Sequence, residues 1–391
     1  MLWEAEGRQD GRADEYWNRA RELIEDEAKS AYPPTQSRGN RTRGSDVNKA
    51  ETAEDWRAEV GEPDNPNLSP DLARAHELGR GREATTPEQI PPRGWKDIFW
   101  RVLWSISDNR ILSTSGSVAF FALLAFFPGI AAIVSLYGLF ADSSTIGDHL
   151  TLLSGILPFG ILTLVADQIT MVAKQGNDAL GMAFIVGLLV ALVTANSGIA
   201  ALFDALNVVY NEREKRSLVR FCATTFLFTL AGIIFVILAI VGVIVLPLVM
   251  SFLGLAATTE RLLAILRWPV LLMTVGVSLA FLYRFGPSRR DARWRWVTWG
   301  SVVAALLWLT ASMLFSWYVA TFDGYNRAYG SLGAAVGFMV WLWISAVIVL
   351  LGGQLNAEME HQTSRDTTEG RAKPLGSRGA MMADHVGAAQ D

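Results

Sequence analysis

The sequence predicts an all-α integral membrane protein: a six-transmembrane-helix bundle with a helix on its cytoplasmic face and disordered termini. Three observations predict it. Residues 111 to 357 hold repeated apolar runs of about 20 residues or more, enough to cross a hydrocarbon core of roughly 30 Å. Charged residues make up only 18% of the 391 and concentrate towards the two ends, whereas 51% of the chain is hydrophobic. Basic residues recur in alternate loops, as the positive-inside tendency requires of a multi-pass protein.

The first 92 residues read as a disordered cytoplasmic extension. A soluble helix fits Asp14 to Ala31, but PPTQSRGNRTRGSD and GEPDNPNLSPD follow, where Pro, Gly, Asn and Asp discourage a packed core. No basic n-region, apolar h-region and small-residue cleavage site opens the chain, so no cleavable signal peptide is expected and the first span serves as the membrane address. In GWKDIFWRVLWSISDNR, Trp95, Phe99, Val102 and Ile106 recur at helical spacing, with Lys96, Asp97, Arg101 and Asp108 mostly elsewhere on the helix. Such a helix can lie on the membrane face or pack against the protein's own spans.

Residues 93–361 read as the membrane domain, with spans at Ser117 to Phe140, Ala179 to Phe203, Leu218 to Met250, Leu262 to Phe285, Trp296 to Thr321 and Ser331 to Ala357. Pro128, Pro247 and Pro269 are expected to kink or end their helices, since each lacks a donor and crowds the preceding turn. The run Leu150 to Ala166 is apolar but short and broken by Gly155, Pro158 and Gly160. Counting it as a seventh span would put the basic loops around Arg213 and Arg290 outside, so it is placed on the outer face as an interfacial or re-entrant segment. With six spans both termini are cytoplasmic, and residues 362–391 form a disordered cytoplasmic tail.

The patterns SGSVAFFALLAFFPGI, ALNVVYNEREKRS and YNRAYGSLGAAVGFMVWLWISAVIVLLGGQLNAEME resemble those of the YihY/BrkB family of bacterial inner-membrane proteins, over roughly Trp95 to His361. The resemblance implies a six-span bundle with both ends in the cytoplasm. Members of that family carry two labels, ribonuclease BN and virulence or serum-resistance factor. The extension lies outside the resemblance.

Polar groups inside a bilayer need partners, so they mark candidate sites. Asn196, Asp204 and Asn207 fall on one face of the second span. Gln354, Asn356 and Glu358 end the last span on the same side, where the first begins with Ser113, Thr114, Ser115 and Ser117. Two readings fit them: a polar cavity in which Asp204 binds a cation or joins proton coupling, or snorkelling and capping groups near the headgroups. Tyr325, Asn326, Arg327 and Tyr329 form either an anchored turn or an outer lip of the pathway. Gly198, Gly330, Gly333 and Gly337 allow close helix packing, within the bundle or at a dimer seam.

No catalytic constellation is legible. The histidines, His76, His149, His361 and His385, form no spaced metal-ligand set, and no P-loop, nucleophile elbow or dinucleotide fingerprint occurs. The single cysteine, Cys222, excludes an intrachain disulfide. The expectation is therefore a non-enzymatic transporter or exporter of a small ion, metabolite or lipid-related molecule supporting envelope function. The alternatives are a non-transporting scaffold and, against the sequence, a transfer-RNA processing nuclease. Expected partners are the lipid bilayer, a small-molecule or ion substrate and a protein partner of the extension, with no nucleic acid, cofactor or metal and no oligomeric state assigned.

Overall fold

The computed structural model describes residues 69–140, 177–240, 257–321 and 333–390. Helix α1, Pro70–Ala75, starts at Ser69, whose Oγ accepts the Leu72 N–H at 3.4 Å, an N-cap followed by proline in the first turn. A 3-10 turn at Pro87–Gln89 leads to α2, Pro92–Asp108, which also opens on proline. Arg110, at a φ of 49°, turns the chain into α3, Ile111–Phe140. Then come α4 (Asn177–Val209), α5 (Leu218–Ile240), α6 (Ala257–Phe285), α7 (Trp294–Thr321), α8 (Gly333–Gln362) and the short α9 (Met381–Asp384).

Five of these helices, α3, α4, α5, α7 and α8, are long and apolar enough to cross a membrane, and α6 supplies the sixth helix with a shorter apolar stretch, Leu272–Phe285. Pro128 and Pro269 lie inside α3 and α6, and neither ends its helix. Pro247, the candidate helix Asp14 to Ala31 and the run Leu150 to Ala166 lie outside the described residues.

The helices pack in succession, α6 on α7, α7 on α8, α8 on α3, α3 on α4 and α4 on α5. Helix α8 also touches α2, α4 and α9, which makes it the hub. The two ends of the succession, α5 and α6, do not pack along their lengths among the described residues. Along the spans large apolar side chains point outward, with Leu227 64%, Met273 65% and Met313 66% exposed, as suits helices whose solvent is lipid.

At one end of the bundle the packing changes. From Gly352 to Ser364 every residue except Leu355 and His361 is buried. Phe203, Leu206, Tyr283, Val297 and Leu350 close the main core here, and Ile98, Trp296 and Met359 form a second cluster beneath α2.

Two expectations change at this end. The tail, expected to be disordered, folds from Thr363 to Gln390 onto the helix ends. Arg378 donates to the carbonyls of Ser364, Arg365, Lys373 and Ala383, so a segment poor in aliphatic residues is held by satisfied main-chain groups together with a few buried apolar anchors, Met382 and Val386. Residues 69–92 of the extension do likewise: Arg82 donates to the carbonyls of Gln362 and Gly387, and Thr363 Oγ1 donates to the Ala84 carbonyl at 2.7 Å.

Helix α2 is rotated from the expected stripe. Asp97 and Arg101 are buried, at 0% and 8% exposure, while Phe99, Trp100 and Trp104 face outward. The inward charges are tolerated because both are paired. Arg80 Nη1 donates to both Asp97 oxygens at 2.8 and 2.9 Å, and Arg101 Nε donates to Glu358 Oε2 at 2.6 Å. The outward aromatic face suits a helix lying against a membrane surface.

Candidate functional site

The polar residues singled out on α4 and α8 do not converge on one cavity. All but Asp204 are drawn into clasps within the protein, and most clasps belong to the densely packed end, here called the polar cap. On α8, Gln354 accepts from Asn109 Nδ2 at 2.8 Å and donates to Glu358 Oε1 at 3.1 Å, and Glu358 in turn holds Arg101. Asn356 turns the other way. Its Oδ1 accepts the Gly300 N–H at 2.8 Å and its Nδ2 donates to the Val297 carbonyl at 3.2 Å, fixing α8 to α7.

Glycine makes that approach possible. A Cβ on Gly300 would fall on the Gly352 carbonyl and the Asn356 amide, and one on Gly352 would fall on the Tyr283 hydroxyl. The stretch GGQLNAE is thus a helix-packing surface followed by two clasps. Of the glycines expected to pack closely, Gly198 lies against Phe121 and Ala122 of α3, with a Cβ there meeting Phe121 Cβ at 3.6 Å. Gly337 has nothing within 4 Å of an added Cβ, Gly333 opens α8, and Gly330 lies outside the described residues.

On α4 the predicted polar face splits three ways. Asn196, midway along its span, accepts from Thr229 Oγ1 of α5 at 3.3 Å. Asn207 is buried. It accepts the Ser288 N–H at 2.7 Å and donates to Glu214 at 3.0 Å, tying α4 to the loops that follow α4 and α6. Asp204 is exposed and makes none of these bonds. Of the polar group that opens α3, Ser115 is fully buried and its Oγ has no partner among the described residues. Tyr325, Asn326, Arg327 and Tyr329 lie outside the described residues.

Sequence reasoning missed two further clasps made by arginine. Arg216 donates to both oxygens of Glu214 at 2.8 Å and to the Gly286 carbonyl at 2.8 Å, and it sits over the rings of Phe203 and Phe221 at 5.3 and 5.5 Å. It therefore joins the ends of α4, α5 and α6. Burial works against charge on Glu214, but the Arg216 guanidinium and N–H and the Asn207 amide outweigh it and hold the carboxyl at about 2.

The second clasp is a bidentate pair with both side chains buried. Arg289 meets Glu360 at 2.7 and 2.8 Å, Thr367 donates to Glu360 at 2.9 Å, and the guanidinium lies 4.1 Å from the centre of the Tyr210 ring. Burial disfavours charge on Arg289, yet the Glu360 carboxylate more than compensates and raises its pKa above the usual arginine value. The only hint in the sequence was the density of arginine after Phe285, which positive-inside placement already explained.

Among the described residues no group of three or more His, Cys, Asp or Glu side chains could hold a metal ion. What the cap can do is mechanical: it locks one end of every helix while the rest of each span is held mainly by its neighbours in the succession.

Comparison with known proteins places this architecture. The model of the family described as virulence factor BrkB matches residues 102–375, and that of a protein of unknown function (DUF2934) matches residues 1–26. The ribonuclease-like protein YfkH of Bacillus subtilis is 29% identical over 266 residues, covering 67% of this chain and 93% of that protein. The UPF0761 membrane protein IL2447 of Idiomarina loihiensis is 28% identical, over 49% of this chain and 64% of its own. The UPF0761 membrane protein NMB0524 of Neisseria meningitidis is 26% identical, over 67% and 63%. The chain thus spans nearly all of the first relative and somewhat under two thirds of the others. No solved structure matches it. With most of its length matched by one family model, this multi-pass membrane protein belongs to the BrkB virulence-factor family.

Proposed function

We propose that the protein sits in the bacterial inner membrane with its polar cap and both termini in the cytoplasm, and moves a small lipid-related molecule in support of envelope function. The observation that carries this reading is the open edge of the bundle. Among the described residues, helices α5 and α6 end the succession without packing along their lengths, and Arg216 joins their cap ends. Such an edge admits an amphipathic molecule from the side, its chains in lipid and its head near the cap. Asp204, exposed near the cap end of α4, and Asn196, bonded at mid-span to α5, are the polar groups that would meet the head group.

The test is redistribution of a fluorescent phospholipid between leaflets of proteoliposomes. The parent is expected to accelerate it and Asp204→Asn to slow it. No acceleration by a well-folded parent would remove the lipid reading and favour the scaffold. One observation already supports that second reading: Asn196, Asn207, Gln354, Asn356 and Glu358 are all committed to bonds within the protein. The relative's ribonuclease-like name suggests a third reading, tested by incubating the same preparation with transfer RNA precursors and divalent metal. Orientation is tested separately with Arg213→Cys in a Cys222→Ser background, which an impermeant maleimide should leave unlabelled in intact cells.

A further inference from the structure

The segment from His385 to Gln390 is held through its main chain by residues far away in sequence. It forms neither helix nor strand, and side chains and one carbonyl from distant parts of the chain grip the main chain of Val386, Gly387, Ala388 and Gln390. Asp71 accepts the Val386 N–H at 3.2 Å and Arg74 donates to the Val386 carbonyl at 3.1 Å. The Gly387 N–H donates to the His361 carbonyl at 2.7 Å, and its own carbonyl accepts from Arg82 at 2.7 Å. Arg101 donates to the Ala388 carbonyl at 2.9 Å, and Asp97 accepts the Gln390 N–H at 2.9 Å.

Only one side chain of the segment is buried as an anchor. Val386 is fully enclosed with Ala75, Leu72 and Leu375 around it. Position 387 admits no side chain, because a Cβ there would lie 2.8 Å from Cζ of Arg101, which Glu358 and Gln362 hold in place. Most of the groove wall, residues 71 to 101, and the whole gripped segment lie outside residues 102–375, the part matched by the family model. Two pieces foreign to the common domain are therefore complementary to each other.

We propose that this groove is a recognition site for an extended peptide with a valine anchor followed by glycine and small residues. Its ligand is residues 385–390 of the same chain and, when that segment is withdrawn, the same segment of a second copy. Main-chain gripping of an extended peptide with one pocketed side chain is an established mode of peptide capture. Tethering gives the cis segment the advantage of effective concentration, so exchange needs the cis contact weakened first. The inference is independent of what the spans transport.

The experiment uses full-length protein in detergent and a fluorescent peptide of residues 383–390, read by anisotropy. The parent, with its groove filled, binds the peptide poorly. The Gly387→Val protein binds it saturably and at least about tenfold more tightly, since overpacking by a buried side chain weakens its own segment by roughly that factor. The peptide carrying the same Gly387→Val change does not bind either protein, and a chain ending at Asp384 behaves as the Gly387→Val protein does. Equal binding by parent and Gly387→Val, or equal binding of the two peptides, would overturn the proposal.

Discussion

The two regions of the molecule are built on different rules. Along the spans, α3 to α8 carry apolar side chains outward and meet their neighbours through a few small or aromatic contacts, such as Gly198 on Phe121 and Phe126 beside Phe338 at 4.8 Å. At the cap, charged side chains are buried beside the aliphatic ones: Asp97, Arg101, Glu212, Glu358 and Glu360 all lie inside. Lipid does not reward apolar helix association as water does, so the spans are held by packing and a few hydrogen bonds between neutral groups, whereas the cap is held by paired charges that cannot separate cheaply. The difference assigns the strongest helix-to-helix ties to the cap.

Breaking the cap should therefore cost most. Glu360→Gln leaves Arg289 buried without its counter-charge and should destabilise the protein by about 3–5 kcal/mol, read as a lower melting temperature in detergent. Replacing both partners by apolar residues of similar size should recover much of that loss. Next comes Gly352→Ala, which pushes a methyl into the Tyr283 hydroxyl and Ala304 and should cost about 1–3 kcal/mol while leaving the span composition unchanged. The mid-span bond is the smaller effect. Asn196→Leu removes the contact with Thr229 and should cost only about 0.6 kcal/mol, as intramembrane hydrogen bonds generally do.

Acid sharpens the same contrast. The folded-state pKa of Glu214 is held at about 2 against an ordinary 4.5, so its contribution is present above pH 4.5 and is lost as the pH falls towards 2. Asp71 shifts the same way: burial raises it, but the hydrogen bond with His385 and the Val386 N–H prevail and keep it below 3.8. The melting temperature should fall across this acid window, and Glu214→Gln should flatten the fall.

What the sequence disclosed follows the same division. The span helices were legible because lipid imposes length and hydropathy on each segment separately, and only ends shifted: α3 starts at Ile111, not Ser117, and α4 runs to Val209, not Phe203. The cap was illegible because its bonds join residues far apart in the chain. Arg74 and Val386 are separated by 312 positions, and nothing local marks either as a partner. The tail expected to be disordered is held by side chains that bond its main chain: Arg378 satisfies its carbonyls and Asp384 its N–H groups. Asn207, Gln354, Asn356 and Glu358 were found as a set because all sit at the same end, but spacing along single helices could not tell a shared cavity from separate clasps.

The most direct test of this division is a pair of distance measurements by electron spin resonance in lipid nanodiscs, made in a Cys222→Ser background. One spin-label pair spans the cap, at Arg93 and Lys373. The other spans the open edge, at Leu227 of α5 and Met273 of α6. The account predicts a narrow distribution across the cap and a broad one across the edge. Equally narrow distributions at both places would contradict it.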